Sequence, residues 1–241
     1  MIEPFTGSAA VFLNTDYPEY LLADGNPDLI NLYQQLVAEG EEFIRFCSFL
    51  FIPANNKANR YYAFRDEFND TNDMRRKSAL FLYLNKHCYN GLCRYNKSGR
   101  FNTPFGLYKN PQLPAKAMHG FIGAARHATF LHAGFTATMN LARRGDVVYC
   151  DPPYAPLSKT AYFTDYHTSG FNWDDQLRLT KTARKLADKG IQVVISNHRT
   201  RAINALYTNA GAKITSFKVQ RNISCDGSNR TKADEILAVF S

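Results

Sequence analysis

The sequence lacks the patterns that mark several whole classes of protein. Its 241 residues contain no apolar run close to the roughly 20 residues of a membrane-spanning helix. They also contain no internal repeat and no low-complexity tract. The first residues, Met1-Ile2-Glu3-Pro4, carry no basic region of the kind that begins a secretory signal. We therefore expect a cytoplasmic protein that does not act at a membrane.

Cysteine is sparse and follows no pairing pattern. The five cysteines are odd in number and include no C-x-x-C pair, which indicates free thiols in a reducing compartment. The six histidines are scattered without the spacing of metal ligands. We expect no bound metal.

What the sequence does have is positive charge. It holds 29 Lys and Arg against 21 Asp and Glu, a formal net charge of +8. Such a balance favours a polyanionic partner, although many basic proteins bind none. With 45% hydrophobic residues the chain can form one sizeable core, or a core and a smaller insertion.

Short apolar runs alternate with helical patterns, which predicts an α/β fold built like a doubly wound sheet. Asn26 caps one predicted helix, Pro27 lies in its first turn and Gly40 ends it. The last two predicted strands alternate like an antiparallel hairpin. The predicted strands are 2–5, 21–23, 147–150, 191–195, 213–220 and 235–240, and the predicted helices are 11–13, 27–39, 60–69, 74–85, 173–189 and 200–209.

The middle of the chain differs in composition from both ends. Residues from about 46 to 140 are rich in Arg, Lys, Asn, Tyr and Phe, and 88–109 is a basic, aromatic stretch with the signals of a loop. Since long structureless loops are uncommon in compact domains, we predict a mostly helical insertion at 46–140 in a sheet domain of 1–45 and 141–241. Its charged, amide and aromatic residues suit phosphates, base edges and base stacking, against the alternative of a solvated charged face. These residues are Arg65, Lys86, Tyr89, Asn90, Arg94, Tyr95, Asn96, Lys97, Arg100, Asn102, Tyr108 and Lys109.

Two residues near the N-terminus predict a ligand site at the carboxyl edge of the sheet. Gly7 lies in a strand-to-helix turn, where backbone can approach a ligand closely. Asp24 ends the next strand, where an acid can accept hydrogen bonds from ribose hydroxyls. The alternative for Asp24 is that it caps the following helix.

The tetrad Asp151-Pro152-Pro153-Tyr154 follows an apolar strand and predicts the chemistry. Asp151 and the carbonyl of Pro152 can accept both hydrogens of a planar exocyclic amine, which localises its lone pair, while Tyr154 stacks on the ring. The prolines hold the loop, so alignment costs little entropy. An adenine amine inside a duplex is reached only when the base is flipped out. The alternative is a plain Asp-Pro turn with Tyr154 in the core.

Taken together, the strings in this sequence resemble the DNA adenine methylase family of the alpha order over essentially the whole chain. The resemblance implies a Rossmann-like methyltransferase sheet with an inserted target-recognition domain. It implies a monomer, of bacteria or their phages, that transfers methyl from S-adenosyl-L-methionine to N6 of adenine in GATC of double-stranded DNA. The strings are Glu3-Pro4-Phe5-Thr6-Gly7, Leu22-Ala23-Asp24, Leu82-Tyr83-Leu84-Asn85, Tyr89 to Asn96, Phe101 to Gly106 and Asp151 to Leu157.

The resemblance also assigns residues. The cofactor contacts would be Glu3, Phe5, Gly7, Asp24, Phe135 and Asp151, and the target adenine would be held by Asp151, Pro152 and Tyr154. Arg94 would read a guanine, Tyr89 would wedge into the duplex near the flipped base, and Asn90 would support that region. Leu92, Pro104 and Tyr108 would contribute to outer-base readout. The remaining expected DNA contacts are Arg65, Asn96, Asn102 and the loop at 221–230.

The sequence departs from the family pattern at three places. The Trp-Ala-Gly-Gly-Lys string that usually begins the family does not precede Glu3, Ala9 stands where glycine is frequent, and Leu107 stands where arginine is frequent. Two alternatives therefore stay open. One is a DNA-binding remnant with weakened catalysis; the other is an amine methyltransferase acting on RNA or protein, whose Pro-Pro-Tyr sites often begin with Asn.

Overall fold

The computed structural model describes residues 1–155, 171–220 and 232–241. The chain divides into two compact units. We call Met1–Gly25 with Ala133–Ser241 the sheet unit and Asn26–His132 the helical unit. The sequence placed the insertion at 46–140, whereas the helical unit begins and ends earlier.

The secondary structure of the described residues comprises seven strands and eight α-helices. The strands are β1 (Ile2–Glu3), β2 (Tyr20–Asp24), β3 (Ala128–His132), β4 (Val147–Cys150), β5 (Gln192–His198), β6 (Lys213–Gln220) and β7 (Lys232–Phe240). The helices are α1 (Pro27–Glu39), α2 (Glu41–Ser48), α3 (Ala58–Asp70), α4 (Met74–His87), α5 (Ala115–Ala124), α6 (Phe135–Met139), α7 (Trp173–Ala187) and α8 (Arg201–Asn209). The predicted α/β class is confirmed.

The strands of the sheet unit run in the order β2-β1-β4-β5-β7-β6. β1 is parallel to β2 and β4, and β4 is parallel to β5. β7 is antiparallel to β5 and β6, which confirms the predicted hairpin of the last two strands. Because β2, β1 and β4 are adjacent and parallel, their carboxyl ends bring Asp24, Glu3 and Asp151 to one edge of the sheet.

The core of the sheet unit forms where apolar strand residues meet helix α7. Val148 and Val193 are fully buried and lie opposite each other in register. Leu179 and Ala183 of α7 belong to the same buried cluster. Helix α7 begins at a capping box, in which the Asn172 side chain accepts from the Asp175 N–H and the Asp175 carboxylate accepts from the Asn172 N–H.

Two predicted elements end at different residues in the structure. β5 was predicted to close at Ile195, but it continues through Ser196, Asn197 and His198, which pair with β7. These polar side chains are hydrogen-bonded, so the strand carries them without leaving a buried group unsatisfied. The helix predicted at 11–13 is a single 3₁₀ turn, Phe12–Asn14.

The helical unit is built around α4, against which α1, α2 and α3 pack. Tyr61 and Tyr83 are fully buried, and their hydroxyls donate to the carbonyls of Thr103 (2.9 Å) and Asn55 (2.7 Å). Because α1 and α2 share this core, the unit starts at Asn26. Within the described ranges, no helix combines the length and the apolar character needed to cross a membrane.

Candidate active site and recognition segment

Asp151 stands immediately after β4, at the carboxyl edge of the sheet, and is exposed. Its Oδ1 accepts a hydrogen bond of 2.6 Å from the hydroxyl of Ser196 on the adjacent strand β5. The same hydroxyl lies 3.2 Å from the carbonyl oxygen of Cys150. The shorter contact has the length of an O–H bond to a charged oxygen, so the carboxylate is the main acceptor.

Neighbouring side chains also hold the rest of the Asp151–Ala155 loop. Gln176 on α7 donates to the carbonyl of Pro153 (3.1 Å), and Asn197 on β5 accepts from the N–H of Ala155 (3.0 Å). Asn197 is fully buried and donates in turn to the Tyr207 hydroxyl (3.0 Å). Among the described residues, no donor bonds the Pro152 carbonyl. The loop therefore holds two acceptors, the exposed Asp151 carboxylate and the carbonyl of the buried Pro152.

Tyr154 is part of this loop and is half-buried. Its ring meets the imidazole of His198 edge to face, with centroids 4.7 Å apart, and its hydroxyl donates to Glu235 at 3.4 Å. Burial, with smaller contributions from the charges of Asp151 and Glu235, raises the pKa of the Tyr154 hydroxyl. The ring is thus a neutral phenol in a defined orientation, and it is less buried than a core tyrosine such as Tyr207.

Gly7 and Asp24 are directly connected. The N–H of Gly7 donates to Asp24 Oδ2 at 3.0 Å, and Gly7 has φ of +48°, a left-handed conformation that suits glycine. The side chain that caps α1 is that of Asn26, which accepts from the N–H groups of Asp28 and Leu29. The alternative in which Asp24 caps this helix is therefore wrong.

Glu3 is the most perturbed acid at this edge. It is 3% exposed, and its Oε1 has no hydrogen-bond partner in the part of the chain that the structure describes. Burial, and then the negative charge of Asp151, raise its pKa from 4.5 to about 7. A buried acceptor without a donor is uncommon and fits a ligand that brings an ammonium or amide donor.

An aromatic wall accompanies these acids. The ring of Phe5 stacks on that of Phe135 at 5.3 Å, and Phe171 meets both rings at 5.6 Å. The guanidinium of Arg178 lies 5.1 Å from the centre of the Phe135 ring. The structure thus brings together Phe5 and Phe135, which the sequence singled out. It adds Phe171 and Arg178, for which the sequence carried no signal.

No metal cluster accompanies this edge in the described ranges. There, no group of three or more His, Cys, Asp or Glu side chains is placed to hold an ion. Cys47, Cys88, Cys93 and Cys150 are free thiols, of which Cys93 is exposed, whereas Cys225 lies outside the described residues.

The segment from Cys88 to Lys109, which we call the recognition segment, is an ordered narrow hairpin. Antiparallel bridges join Cys88 to Phe105 and Tyr95 to Phe101. The N–H of Tyr89 donates to the Pro104 carbonyl (2.9 Å), and that of Gly106 to the His87 carbonyl (2.7 Å). The sequence predicted a loop here, and main-chain bonds between its two arms give it this structure.

Most of the expected contact residues of this segment point into solvent. Tyr89 and Leu92 are each 49% exposed and Tyr108 is 44% exposed. The others that are exposed are Asn90, Arg94, Asn96, Lys97, Arg100, Pro104 and Lys109, whereas Asn102 is half-buried. Arg94 is held in place, since its Nε donates to Asn102 Oδ1 at 2.8 Å.

Other candidates serve the packing of the helical unit. Tyr95 donates to Asp28 at 2.8 Å and its ring packs edge-on against Phe101, so the expectation that it stacks on bases is not supported. Asn96 accepts from the N–H groups of Ser98 and Arg100 and so holds the hairpin turn.

Arg65 is half-buried, with Nη1 3.4 Å from the Thr103 carbonyl and its guanidinium 4.7 Å from the centre of the Tyr62 ring. DNA contacts by Arg65 and Asn96 stay predictions. The expected contact loop at 221–230 lies outside the described residues.

Comparison with known proteins points the same way as this geometry. The family model described as D12 class N6 adenine-specific DNA methyltransferase matches residues 1–223. The DNA adenine methylase of Vibrio cholerae serotype O1 is 47% identical over 242 residues, which cover 100% of this chain and 87% of that protein. Those of Escherichia coli K12 and Serratia marcescens are each 46% identical, cover all of this chain, and are themselves covered to 86% and 88%. The chain therefore belongs to the D12 class of N6 adenine-specific DNA methyltransferases.

Proposed function

We propose that the protein transfers a methyl group from S-adenosyl-L-methionine to N6 of adenine in GATC sequences of double-stranded DNA. One observation carries the proposal. Asp151 is exposed at the carboxyl edge of the sheet, one of its oxygens is held by Ser196, and the carbonyl of Pro152 in the same loop has no donor among the described residues.

The chemistry follows from the two acceptors. The lone pair of an adenine amine is delocalised into the ring, which makes the nitrogen a poor nucleophile. Hydrogen bonds from the two N–H groups to Asp151 Oδ2 and to the Pro152 carbonyl draw the nitrogen towards tetrahedral geometry and localise that pair. The acceptors are fixed before the substrate arrives, so little reorganisation is needed at the moment of reaction. Tyr154, held by His198 and Glu235, offers its ring to the base.

The residues at the edge of the sheet fit the cofactor. S-adenosyl-L-methionine, when bound, supplies the methyl group as an electrophile. Glu3 offers a buried carboxylate oxygen without a donor to an amino group, and Asp24 at the end of β2 offers a carboxylate to ribose hydroxyls. Phe5 and Phe135 supply an apolar wall beside them.

The recognition segment supplies groups suited to DNA. Arg94 is exposed, and its bond to Asn102 reduces its conformational freedom, which suits a guanidinium that reads O6 and N7 of guanine. Tyr89, about half exposed, suits insertion beside a base that has left the stack. We infer base flipping from the chemistry, because N6 of a stacked adenine cannot meet two acceptors of a protein loop. We infer a monomer acting on DNA in the cytoplasm.

A methyl-transfer assay tests the proposal. The protein is incubated with labelled S-adenosyl-L-methionine and a duplex containing one GATC, and a duplex with GTAC at the same position is the matched control. We expect label in the first duplex and not in the second. A GATC duplex already methylated at N6 on both strands should take up none. The same sequence as RNA tests the alternative substrate.

The possible outcomes separate the alternatives. Equal labelling of GATC and GTAC would overturn the sequence choice but not the reaction. Binding of the duplex without transfer would support the DNA-binding remnant and overturn the enzyme. Fluorescence of 2-aminopurine at the target position tests flipping separately, and we expect its emission to rise when the protein binds.

A further inference from the structure

We propose that Ser196 is a positioning residue for Asp151: its hydroxyl fixes the rotation of the carboxylate so that Oδ2 faces the amine to be methylated. This inference rests on the proposed function and deepens it. Sequence reasoning did not find Ser196, because it treated this polar residue as the end of a strand.

The geometry of the contact favours orientation over simple packing. Ser196 is 3% exposed, and its Oγ lies 2.6 Å from Asp151 Oδ1 but 3.2 Å from the Cys150 carbonyl. A hydroxyl has one hydrogen to donate, and a charged acceptor at the shorter distance takes it. One carboxylate oxygen is thereby committed to the protein, and the other is directed away from Ser196.

A carboxylate in this position needs such a partner. The terminal torsion of an aspartate is broad, with no deep staggered wells to hold it. Asp151 is exposed, so packing restricts that torsion little, and the Tyr154 hydroxyl is its other polar neighbour beside Ser196. Without the hydroxyl, the plane of the carboxylate would rotate and its acceptor lone pair would leave the direction of the amine hydrogen. Misplacement on the order of 1 Å in an active site can cost about 100-fold in rate.

Ser196 is itself well fixed. It lies within β5 and pairs with Leu237 of β7. The next residue, Asn197, accepts from the N–H of Ala155 and so holds the other end of the same loop. Since successive side chains of a strand face opposite sides, two consecutive residues of β5 hold the two ends of the catalytic loop from opposite sides.

Two substitutions and a control test the proposal. Ser196→Ala removes the hydroxyl, Ser196→Thr keeps it on a residue that strands accept, and Thr182→Val removes another hydroxyl of low exposure, which donates to the Arg178 carbonyl within α7. The measurement is the single-turnover rate of methyl transfer at saturating cofactor and GATC duplex. We expect Ser196→Ala to be slower by about 10- to 100-fold, and both Ser196→Thr and Thr182→Val to stay within about threefold of the unchanged protein.

Binding measurements distinguish a loss of positioning from a general disruption of the structure. The affinities of Ser196→Ala for duplex and for cofactor should stay within about twofold of the unchanged protein, so that the loss is in the chemical step. An unchanged rate in Ser196→Ala, or an equal loss in Thr182→Val, would overturn the inference. Should Ser196→Ala not fold, Ser196→Cys replaces it. Its weaker donor should give an intermediate rate, and an unchanged rate would again overturn the inference.

A crystal structure of Ser196→Ala supplies a readout that does not depend on activity. We expect the Asp151 carboxylate to occupy more than one orientation, whereas a single unchanged orientation would overturn the positioning role. If the unchanged protein methylates no GATC duplex, the proposed function fails. If it does methylate and Ser196→Ala is equally fast, only the role of Ser196 fails.

Discussion

The two candidate loops differ in how far their own main chain holds them. The Asp151–Ala155 loop is held by side chains that reach it from β5 and α7, namely Ser196, Asn197 and Gln176. The recognition segment is also reached by side chains, among them Tyr61 and Asn69 of α3, but it has in addition bridges and hydrogen bonds between its own two arms. A catalytic loop must place a few acceptor atoms accurately, whereas a recognition loop must keep its side chains available. The different hydrogen bonding of the two loops is consistent with these two requirements.

The largest expected effect comes from removing the acceptor that the first loop presents. Asp151→Ala should lower methyl transfer by at least about 100-fold, as loss of one fixed polar group in an active site commonly does. Duplex affinity should hardly change, because no phosphate contact is lost. The measurements are labelled methyl transfer and a mobility-shift titration.

A carboxylate at the other end of β4 provides the control for that experiment. Asp146 precedes the strand and accepts from the N–H of Arg143 at 2.7 Å. Asp146→Ala should keep its turnover. If both variants lost activity equally, the role of Asp151 as an acceptor for the target amine would be contradicted. The comparison of the two loops would then no longer be one between catalysis and recognition.

Glu3→Gln tests how much the buried carboxylate of Glu3, in the candidate cofactor site, lowers the free energy of unfolding. The pKa of Glu3 is about 7 in the folded protein and 4.5 when unperturbed. Between these values the folded state binds more protons than the unfolded state, so this residue lowers the free energy of unfolding as pH rises from 4.5 to 7. The loss reaches up to about 3 kcal/mol.

The glutamine variant should lack that loss. It should be more stable than the unchanged protein at pH 8 and differ little from it near pH 4.5, as measured by urea unfolding across the range. Its cofactor affinity should be lower at pH 8, where the unchanged protein presents a carboxylate. If the free energies of unfolding of the two proteins changed with pH in the same way, the raised pKa of Glu3 would be contradicted.

Arg94→Ala tests whether the recognition segment reads sequence through an exposed side chain. It should lower discrimination between GATC and duplexes changed at the guanine by about 1–3 kcal/mol. The measurement is the ratio of methylation rates on the two duplexes. Arg126, an exposed arginine elsewhere in the helical unit, provides the matched control. Equal discrimination in Arg94→Ala and Arg126→Ala would mean that Arg94 contributes only charge.

The smallest effect should follow the loss of the ion pair at the tip of the hairpin. Arg100 Nη1 lies 2.8 Å from Asp70 Oδ1, and both side chains are exposed. Asp70→Ala should leave the free energy of unfolding nearly unchanged, since exposed pairs contribute little. Sequence choice should stay unchanged. A clear drop in the midpoint of thermal unfolding would contradict this expectation and show that the exposed ion pair stabilises the hairpin.

Sequence patterns located the main strands and helices because their apolar residues follow the period of the element. Val147–Cys150 matched its observed range, and Trp173 began the predicted helix. The patterns failed where polar residues are buried with partners. Ser196 and Asn197 looked like the end of a strand, yet they continue it and hold the Asp151–Ala155 loop. Two polar residues directly after an apolar strand, at the carboxyl edge of a sheet, were the available signal.

Contacts between distant parts of the chain lay beyond any local pattern. Phe5, Phe135 and Phe171 pack together although they lie far apart in the sequence. The helical unit begins at Asn26 because α1 packs on α4, which no change in composition announced. Tyr95 resembles its exposed neighbour Tyr89 in sequence, and only the position of Asp28 shows that it packs inward.

The closure at Gly106 has a consequence for how this protein can diversify. A side-chain carbon on Gly106 would lie 2.7 Å from the Cys88 carbonyl oxygen, so the two ends of the hairpin approach as closely as backbone allows. The fold therefore constrains these two ends, and between them it ties inward-facing residues such as Tyr95 to the helices while the exposed residues stay unconstrained by packing. We expect the whole stretch between Cys88 and Gly106 to be exchangeable as one unit, with its inward-facing residues. Exchange with the corresponding stretch of another methyltransferase should alter the preferred DNA sequence while the catalytic machinery stays intact.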